Sequence, residues 1–265
     1  YAGLLHLGCN EHTEHAWEAS LYRILSRLEA HFERHDYVLG GRPSMGDFAL
    51  LGPLYAHIYR DAASGFILRT EYPLVAEWVE RANGEGSLNA RTYGQKLYSL
   101  NEKGELVGRV ANSDGGEWLA DDEVPETLVS VIEVFFEEMW PFLLASIKKL
   151  ESFIVSEDHQ VGGELPNKTF FASPDFLEHQ TNGGALTVAF RIGDVESERM
   201  VVPYQIWMLN RLERAMEAVM VSDEGRSSVA DLLEAFPEGD RMMELETLLS
   251  GCRIEKRGGK FFSVA

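Results

Sequence analysis

The chain is poor in cysteine and in basic residues, and it has no long apolar run. Its two cysteines, Cys9 and Cys252, cannot build a disulfide framework, so the sequence favours a reducing, cytoplasmic location. No apolar run approaches the roughly 18 residues of a membrane span, and no signal segment opens the chain, so we expect no membrane partner. Lys and Arg number 24 against 43 Asp and Glu, and the formal charge of −19 argues against nucleic acid as a partner.

Motifs that hold phosphate, metal or a catalytic nucleophile are also missing from the sequence. The Gly-Gly pairs lack the continuation that cradles a phosphate, and there is no nucleophile elbow. His12 and His15 have a spacing that would place both on one helix face, as a pair of metal ligands is placed. No second ligand cluster accompanies them, and Glu11 and Glu14 are natural acids of a first helical turn, so we predict a polar helix start and no metal.

Apolar residues recur mostly with the period of an amphipathic helix. With 45% hydrophobic residues, the 265-residue chain can bury the core of one large domain or of two smaller ones. We expect kinks at Pro53 and Pro141, because proline removes an internal hydrogen bond from a helix. Spacings of three and four residues predict helices over residues 17–32, 45–60, 73–83, 125–150 and 204–221.

Other stretches predict hairpins, connections and short helices. Alternation of apolar and polar residues around Gly-containing turns predicts β-hairpins near residues 186–202 and 253–264. Residues 96–110 form either a third hairpin or a loop. Residues 61–70 are interpreted as a connection, and a Ser-Ser cap predicts a short helix over residues 228–236.

Residues 39–57 are the most informative stretch of the sequence, because they indicate where a buried helix begins. Ser44 can accept from the backbone N–H of Asp47, while the Asp47 carboxylate reaches back to the N–H of Ser44. This reciprocal capping box satisfies two donors at the helix start, and an acid in the first turn also meets the positive end of the helix dipole. Gly40 and Gly41 let the chain turn sharply before it.

This pattern resembles the C-terminal helical domain of the glutathione transferase superfamily. In that family a long helix ends in a Leu-Gly-Gly type of turn, and a Ser/Thr-x-x-Asp box then opens the central buried helix. Residues 37–47 match this arrangement. Gly46 stands where many members have Ala, a departure that costs about 1 kcal/mol of helix propensity. The specific resemblance covers residues 15–85, and its later part is similar to a bacterial branch of larger members.

The resemblance implies a mainly α fold. We expect a glutathione-transferase C-terminal-like helical bundle over residues 1–155 and an α+β extension over residues 156–265, which carries the small β-hairpins. The boundary rests on residues 157–181, which are polar and rich in turn residues.

A complete member of the superfamily has a thioredoxin-like domain ahead of this region. The chain begins with Tyr1 and few residues precede the capping box, so we expect that domain to be absent from the sequence given. The resemblance implies that glutathione, the expected cofactor, is bound mainly by that domain, which also activates the glutathione thiol. The chain by itself is therefore predicted to be inactive, and whether the protein is an enzyme stays open.

Five side chains are candidates for a small-molecule site. In the superfamily the helical domain partly walls the pocket of the acceptor substrate, a small hydrophobic electrophile, and Tyr55 and Tyr59 on the central helix are our candidates for this role. Tyr204, Trp207 and Arg211 would add a stacking floor and a bidentate grip on an anion. Core packing of each ring and an internal ion pair for Arg211 are the competing interpretations.

Two functions fit these observations. In the first, the chain is the C-terminal region of a glutathione-transferase-like protein and contributes the acceptor-substrate pocket and the contacts of a homodimer. In the second, it belongs to a non-catalytic binding or assembly protein that retains the helical fold. A thioredoxin-like domain encoded upstream, with an N-terminal Ser, Tyr or Cys, would favour the first.

Overall fold

Helices dominate the computed structural model, which describes Leu4 and residues 6–83, 96–100, 102–110, 117–166 and 186–264. In chain order the helices are α1 (Glu14–Phe32), α2 (Met45–Pro53), α3 (Ala62–Glu71), α4 (Pro73–Ala82), α5 (Glu126–Val134), α6 (Trp140–Ile154), α7 (Pro203–Val219), α8 (Asp223–Glu234) and α9 (Leu245–Leu248). Two π-helical segments, Leu54–Tyr59 and Phe135–Met139, and two 3₁₀ segments, Ala120–Asp122 and Gly239–Glu244, complete the helical content of these ranges.

The strands form antiparallel hairpins. Within the described ranges there are three two-stranded sheets, β1 (Lys96–Leu100) with β2 (Leu106–Val110), β3 (Thr187–Ile192) with β4 (Val195–Met200), and β5 (Ile254–Arg257) with β6 (Lys260–Ser263). The two predicted hairpins are confirmed, and residues 96–110 form a hairpin and not a loop. The mainly α fold with small hairpins is likewise confirmed.

The chain divides into two compact units. One comprises residues Leu21–Ile132, and the other comprises Tyr1–Ser20 together with Glu133–Ala265. We call them the central unit and the terminal unit. The predicted division into domains at residue 155 concerns independently folding parts and stays a prediction, and residues 167–185 of the predicted boundary stretch lie outside the described residues.

Both predicted proline kinks coincide with a change of helix type. Helix α2 ends at Pro53 and continues as the π-helical segment Leu54–Tyr59, where the N–H of Arg60 donates to the carbonyl of Tyr55 at 3.3 Å. Pro141 is the second residue of α6, directly after the other π-helical segment. Since proline has no N–H to donate, the regular ladder is interrupted at both places.

The core of the central unit forms on the apolar stripe that the sequence predicts for α1. The ring of Phe32 stacks on Trp78 of α4, with centroids 5.0 Å apart and an interplanar angle of 14°. These rings fill the space between helices, where aromatic pairs of this geometry contribute beyond their buried area. The main fully buried members of this core are Leu25, Leu28, Phe32, Leu68, Val75, Trp78 and Val79.

Two predicted elements were wrong. Residues 61–70 are not a connection, because Ala62–Glu71 form helix α3. A Cβ at Gly65 would stand 2.4 Å from the carbonyl oxygen of Tyr59, so glycine permits a close approach that no periodicity in the sequence reveals. Helix α8 starts at Asp223 and its cap is Ser222, whose hydroxyl accepts from the N–H of Gly225 at 3.0 Å, so the predicted Ser-Ser cap lies inside the helix.

In the terminal unit, each of two hairpins packs on a helix. The ring of Phe190 on β3 meets that of Phe142 on α6 edge to face, with centroids 6.4 Å apart. The N-terminal segment crosses the same hairpin, where the N–H of Met200 donates to the carbonyl of His6 at 2.8 Å. The hairpin β5–β6 is tied to α7 by the amide oxygen of Asn210, which accepts from the N–H of Ile254 at 3.0 Å.

Candidate functional site

Tyr55 and Tyr59 lie next to each other in the π-helical segment of the central unit. Both are half-buried, and their rings stack with centroids 6.0 Å apart. Each ring is also covered by a cation, since the guanidinium of Arg69 lies 4.0 Å from the centroid of Tyr59 and that of Arg60 lies 5.9 Å from the centroid of Tyr55. The pair is therefore a surface of two rings whose faces already hold partners from the chain itself.

The hydroxyl of Tyr59 is also engaged. It donates to the carboxylate of Glu80, while Arg69 donates to the Tyr59 carbonyl at 3.2 Å. Burial, followed by the hydrogen bond to Glu80, raises the pKa of Tyr59 above its ordinary value. These contacts keep Tyr59 protonated and fix the π-helical segment in place. Activation of a thiolate would instead require a tyrosine with a lowered pKa.

Tyr204, Trp207 and Arg211 come together on one face of α7 in the terminal unit. The first two rings are 5.8 Å apart, and the guanidinium of Arg211 lies 5.2 Å from the centroid of Trp207. The fold adds Phe261 of β6, whose ring lies 6.2 Å from the rings of both Tyr204 and Trp207. These residues, together with Lys256 of β5, are here called the aromatic face.

Positive charge is concentrated on the aromatic face. The ammonium of Lys256 lies 5.1 Å from the centroid of Trp207, 5.7 Å from that of Phe261 and 5.9 Å from that of Tyr204. Within the described ranges Arg211 makes no ion pair, and it is exposed. Two cations and three rings thus meet on one surface of an otherwise acidic protein.

The aromatic face continues along α7 as an exposed apolar stripe. Tyr204 is 45% exposed, and Met208 and Leu212 follow it at intervals of one helical turn, both exposed. The two groups of candidate residues belong to different units. The structure brings Tyr55 to Tyr59 in one unit, and Tyr204 to Trp207 and Arg211 in the other.

The capping box at Ser44 and Asp47 is part of a buried network. The Asp47 carboxylate accepts from the Ser44 N–H at 2.7 Å and from the Ser44 hydroxyl at 2.8 Å. It also accepts from the N–H of Val38 at 3.0 Å and from the indole N–H of Trp78 at 2.9 Å. One side chain therefore fixes the entry to α2, the preceding turn and helix α4.

The stretch that contains the capping box is similar to a known protein family. Residues 11–81 match the family described as Glutathione S-transferase, C-terminal domain. The resemblance seen in the sequence is thereby confirmed for this stretch. No curated protein and no solved structure matches the chain.

Two other properties concern possible partners. In the described ranges no group of three or more His, Cys, Asp or Glu side chains is placed to hold a metal ion, and His15 lies 3.9 Å from the carboxylate of Glu18. No helix of these ranges is long and apolar enough to cross a membrane.

Sequence reasoning missed Lys256 and Phe261. Lys256 and Phe261 stand on opposite strands of one hairpin and are direct partners in its register, which places them side by side. The Gly-Gly turn predicts this pairing of the two residues. No local pattern predicts that the hairpin packs on α7.

Proposed function

We propose that the chain is the C-terminal region of a cytoplasmic, glutathione-transferase-like protein, and that its aromatic face binds the acceptor substrate. The observation that carries this proposal is the meeting of Tyr204, Trp207 and Phe261 with the cations Lys256 and Arg211 on one exposed surface. The match to the glutathione transferase C-terminal domain supports a reaction in which glutathione is the co-substrate.

The chemistry of such a substrate fits this surface. A small hydrophobic electrophile needs apolar area, which the three rings offer, and its conjugate with glutathione carries carboxylates. The guanidinium of Arg211 can grip a carboxylate through two N–H groups, and the ammonium of Lys256 adds a second positive charge. Few polar groups on a broad aromatic surface are typical of small-molecule sites.

Tyr55 and Tyr59 are proposed as a second, weaker contribution to substrate binding. Their faces are occupied by Arg60 and Arg69, and the Tyr59 hydroxyl is bonded to Glu80. A ligand would have to displace these contacts, and both rings are half-buried, whereas Tyr204 is 45% exposed.

The proposal is tested with anilinonaphthalene sulfonate, a fluorescent aromatic anion, and with the uncharged phenylnaphthylamine. We expect the double variant R211A/K256A to bind the sulfonate about tenfold more weakly while its affinity for the neutral dye changes little, because only the charge contribution is lost. The matched control is K260A, which removes an exposed lysine from the same hairpin. Equal affinity of the wild type and the double variant for the sulfonate contradicts the assignment.

A second candidate function rests on the apolar stripe of α7. Met208 and Leu212 are 40% and 37% exposed and adjoin the aromatic face, which is the character of a surface used for assembly. In this alternative the protein is a non-catalytic homodimer, and L212E lowers its sedimentation coefficient to that of a monomer without changing dye binding. The same exchange at an exposed polar position of α8, S228E, leaves the assembly intact.

A further inference from the structure

Arg199 projects from the inward face of a hairpin. It lies on β4, where Val195, Ser197 and Arg199 are less exposed than Glu196 and Glu198 between them. Its partner across the ladder is Val188 of β3. A charged side chain at such a position must be compensated, because an ion transferred from water into apolar surroundings loses its hydration.

Three aromatic rings surround the guanidinium of Arg199. Its central carbon lies 4.5 Å from the ring centroid of Phe142 on α6, 5.8 Å from that of Trp17 on α1 and 6.0 Å from that of Phe190 on β3. All of these residues belong to the terminal unit. The rings come from three separate elements, so the site is formed by the fold and by no single stretch of sequence.

The anion that this cation needs is not supplied by the described part of the chain. One N–H of Arg199 donates to the sulfur of Met139 at 3.6 Å, a weak acceptor for a group with five donors. Burial lowers the pKa of Arg199. Arg253 shows the contrast, since its guanidinium is paired with the carboxylate of Glu213.

The site combines buried and partly exposed side chains. Phe142 and Phe190 are only 1% and 6% exposed and form its buried wall, whereas Trp17 and Arg199 are half-buried. Arg199 is the single cation that the described residues place over these three rings, which favours a ligand with one negative charge. A carboxylate matches the two parallel N–H groups of a guanidinium, and an aromatic body matches the rings.

We propose that Arg199 is the anion-binding residue of a small-molecule site walled by Trp17, Phe142 and Phe190, and that the ligand is an aromatic carboxylate. This site shares no residue with the aromatic face of the proposed function. The carboxylate accepts the free N–H groups of Arg199, and its ring packs against the partly exposed Trp17.

The test uses naphthoate as the aromatic carboxylate and naphthamide as its neutral counterpart, with calorimetry on the full chain. We expect R199M, which keeps an apolar side chain of similar length, to weaken naphthoate binding about tenfold and to leave naphthamide binding unchanged. R191M is the matched control, because Arg191 lies on the same hairpin, is exposed and pairs with Asp194. Binding of naphthoate by R199M within twofold of the wild type overturns the proposal.

A second measurement needs no variant at Arg199. In the wild type, naphthoate is expected to shift the NMR signal of the Trp17 indole N–H, assigned by its loss in W17F. The Trp207 signal reports separately on the aromatic face, so R211A/K256A reduces any response there and leaves that of Trp17 intact. A Trp17 signal that does not move during a naphthoate titration to millimolar concentration rejects the Arg199 site, whatever the outcome for the aromatic face.

Discussion

Asp47 in the central unit and Arg199 in the terminal unit are both charged side chains directed into apolar surroundings, and their partners differ. The Asp47 carboxylate is fully buried and accepts from two backbone N–H groups, a hydroxyl and an indole N–H. The Arg199 guanidinium has rings on three sides and one sulfur as acceptor. The first charge is compensated within the fold, and the second leaves a place for an external anion.

The comparison separates a structural role from a binding role. Removing a group whose partners are all buried leaves those partners unsatisfied, and the cost appears in the free energy of unfolding. Arg199 has ring contacts and a sulfur acceptor but no carboxylate partner among the described residues, so we expect its removal to change ligand affinity more than stability. Substitutions at the two sites should therefore differ most in stability.

The largest effect is expected for D47A. The buried N–H of Val38, the buried indole N–H of Trp78 and the partly buried N–H of Ser44 all lose their acceptor. At about 1–3 kcal/mol for each of the two buried groups, the free energy of unfolding should fall by about 2–6 kcal/mol. Urea unfolding followed by tryptophan fluorescence measures this. Asp61 provides the control, because it precedes α3 without a side-chain capping bond, and D61A should be nearly neutral. Similar losses in both variants would remove the basis of the comparison.

The second-largest effect is a dependence of stability on pH, which we expect from the buried side chain of His31. His31 is fully buried, with Nδ1 2.8 Å from the Thr127 hydroxyl and Nε2 3.2 Å from the Tyr37 carbonyl, and burial lowers its pKa to about 4. As the pH falls below 6.5, His31 is therefore protonated in the unfolded chain but stays neutral in the folded chain. The contribution of neutral His31 to the free energy of unfolding is thus fully present above pH 6.5 and is lost as the pH falls towards 4.

The variant H31Q isolates this contribution. Between pH 7 and pH 5 the free energy of unfolding of the wild type should fall by about 2 kcal/mol more than that of H31Q. The interval extends about 1.5 pH units below the unfolded pKa of His31, and each unit corresponds to about 1.36 kcal/mol. Urea unfolding of both proteins at the two pH values gives the difference. The same pH dependence in both proteins would show that folding does not lower the pKa of His31.

A smaller effect is expected for S44A. The Ser44 hydroxyl accepts from the N–H of Gly46 at 3.2 Å and caps α2, so its loss should cost about 0.5–2 kcal/mol. Thermal unfolding compares it with S228A, which removes an exposed hydroxyl from the interior of α8. If S44A melts like S228A, the capping hydroxyl contributes nothing beyond what Asp47 provides.

The smallest effect on stability is expected for R199M. Its thermal midpoint should equal or slightly exceed that of the wild type, by an amount corresponding to less than about 1 kcal/mol, because an unpaired cation is replaced by an apolar side chain. R191M provides the reference for a surface arginine of the same hairpin. A large loss of stability in R199M would place Arg199 with Asp47 as a structural charge.

Much of the fold could be predicted from the sequence. The stripe of α1, the hairpins and the capping box each depend on residues a few positions apart, whose pattern determines the local backbone. Helix α3 was missed because its close packing through Gly65 against Tyr59 depends on a contact between elements and leaves no periodic signal. The start of α8 was missed because several serines in that stretch can act as a cap.

The candidate site was only half accessible to sequence reasoning. Tyr204, Trp207 and Arg211 share a face because they lie on one helix, and helical periodicity is sufficient to show this. Lys256 and Phe261 join them through the packing of a hairpin on α7, which no local pattern encodes.

The sequence by itself determined where the main helices and hairpins lie, which faces are apolar, and that Ser44 and Asp47 form a cap. The tertiary structure decided which buried charges find partners. Trp78 reaches Asp47 from another helix, whereas three separate elements bring rings to Arg199 and the described residues bring it no carboxylate. The physical reason is that periodicity depends on the residues of one segment, whereas the compensation of a buried charge depends on the segments packed against it.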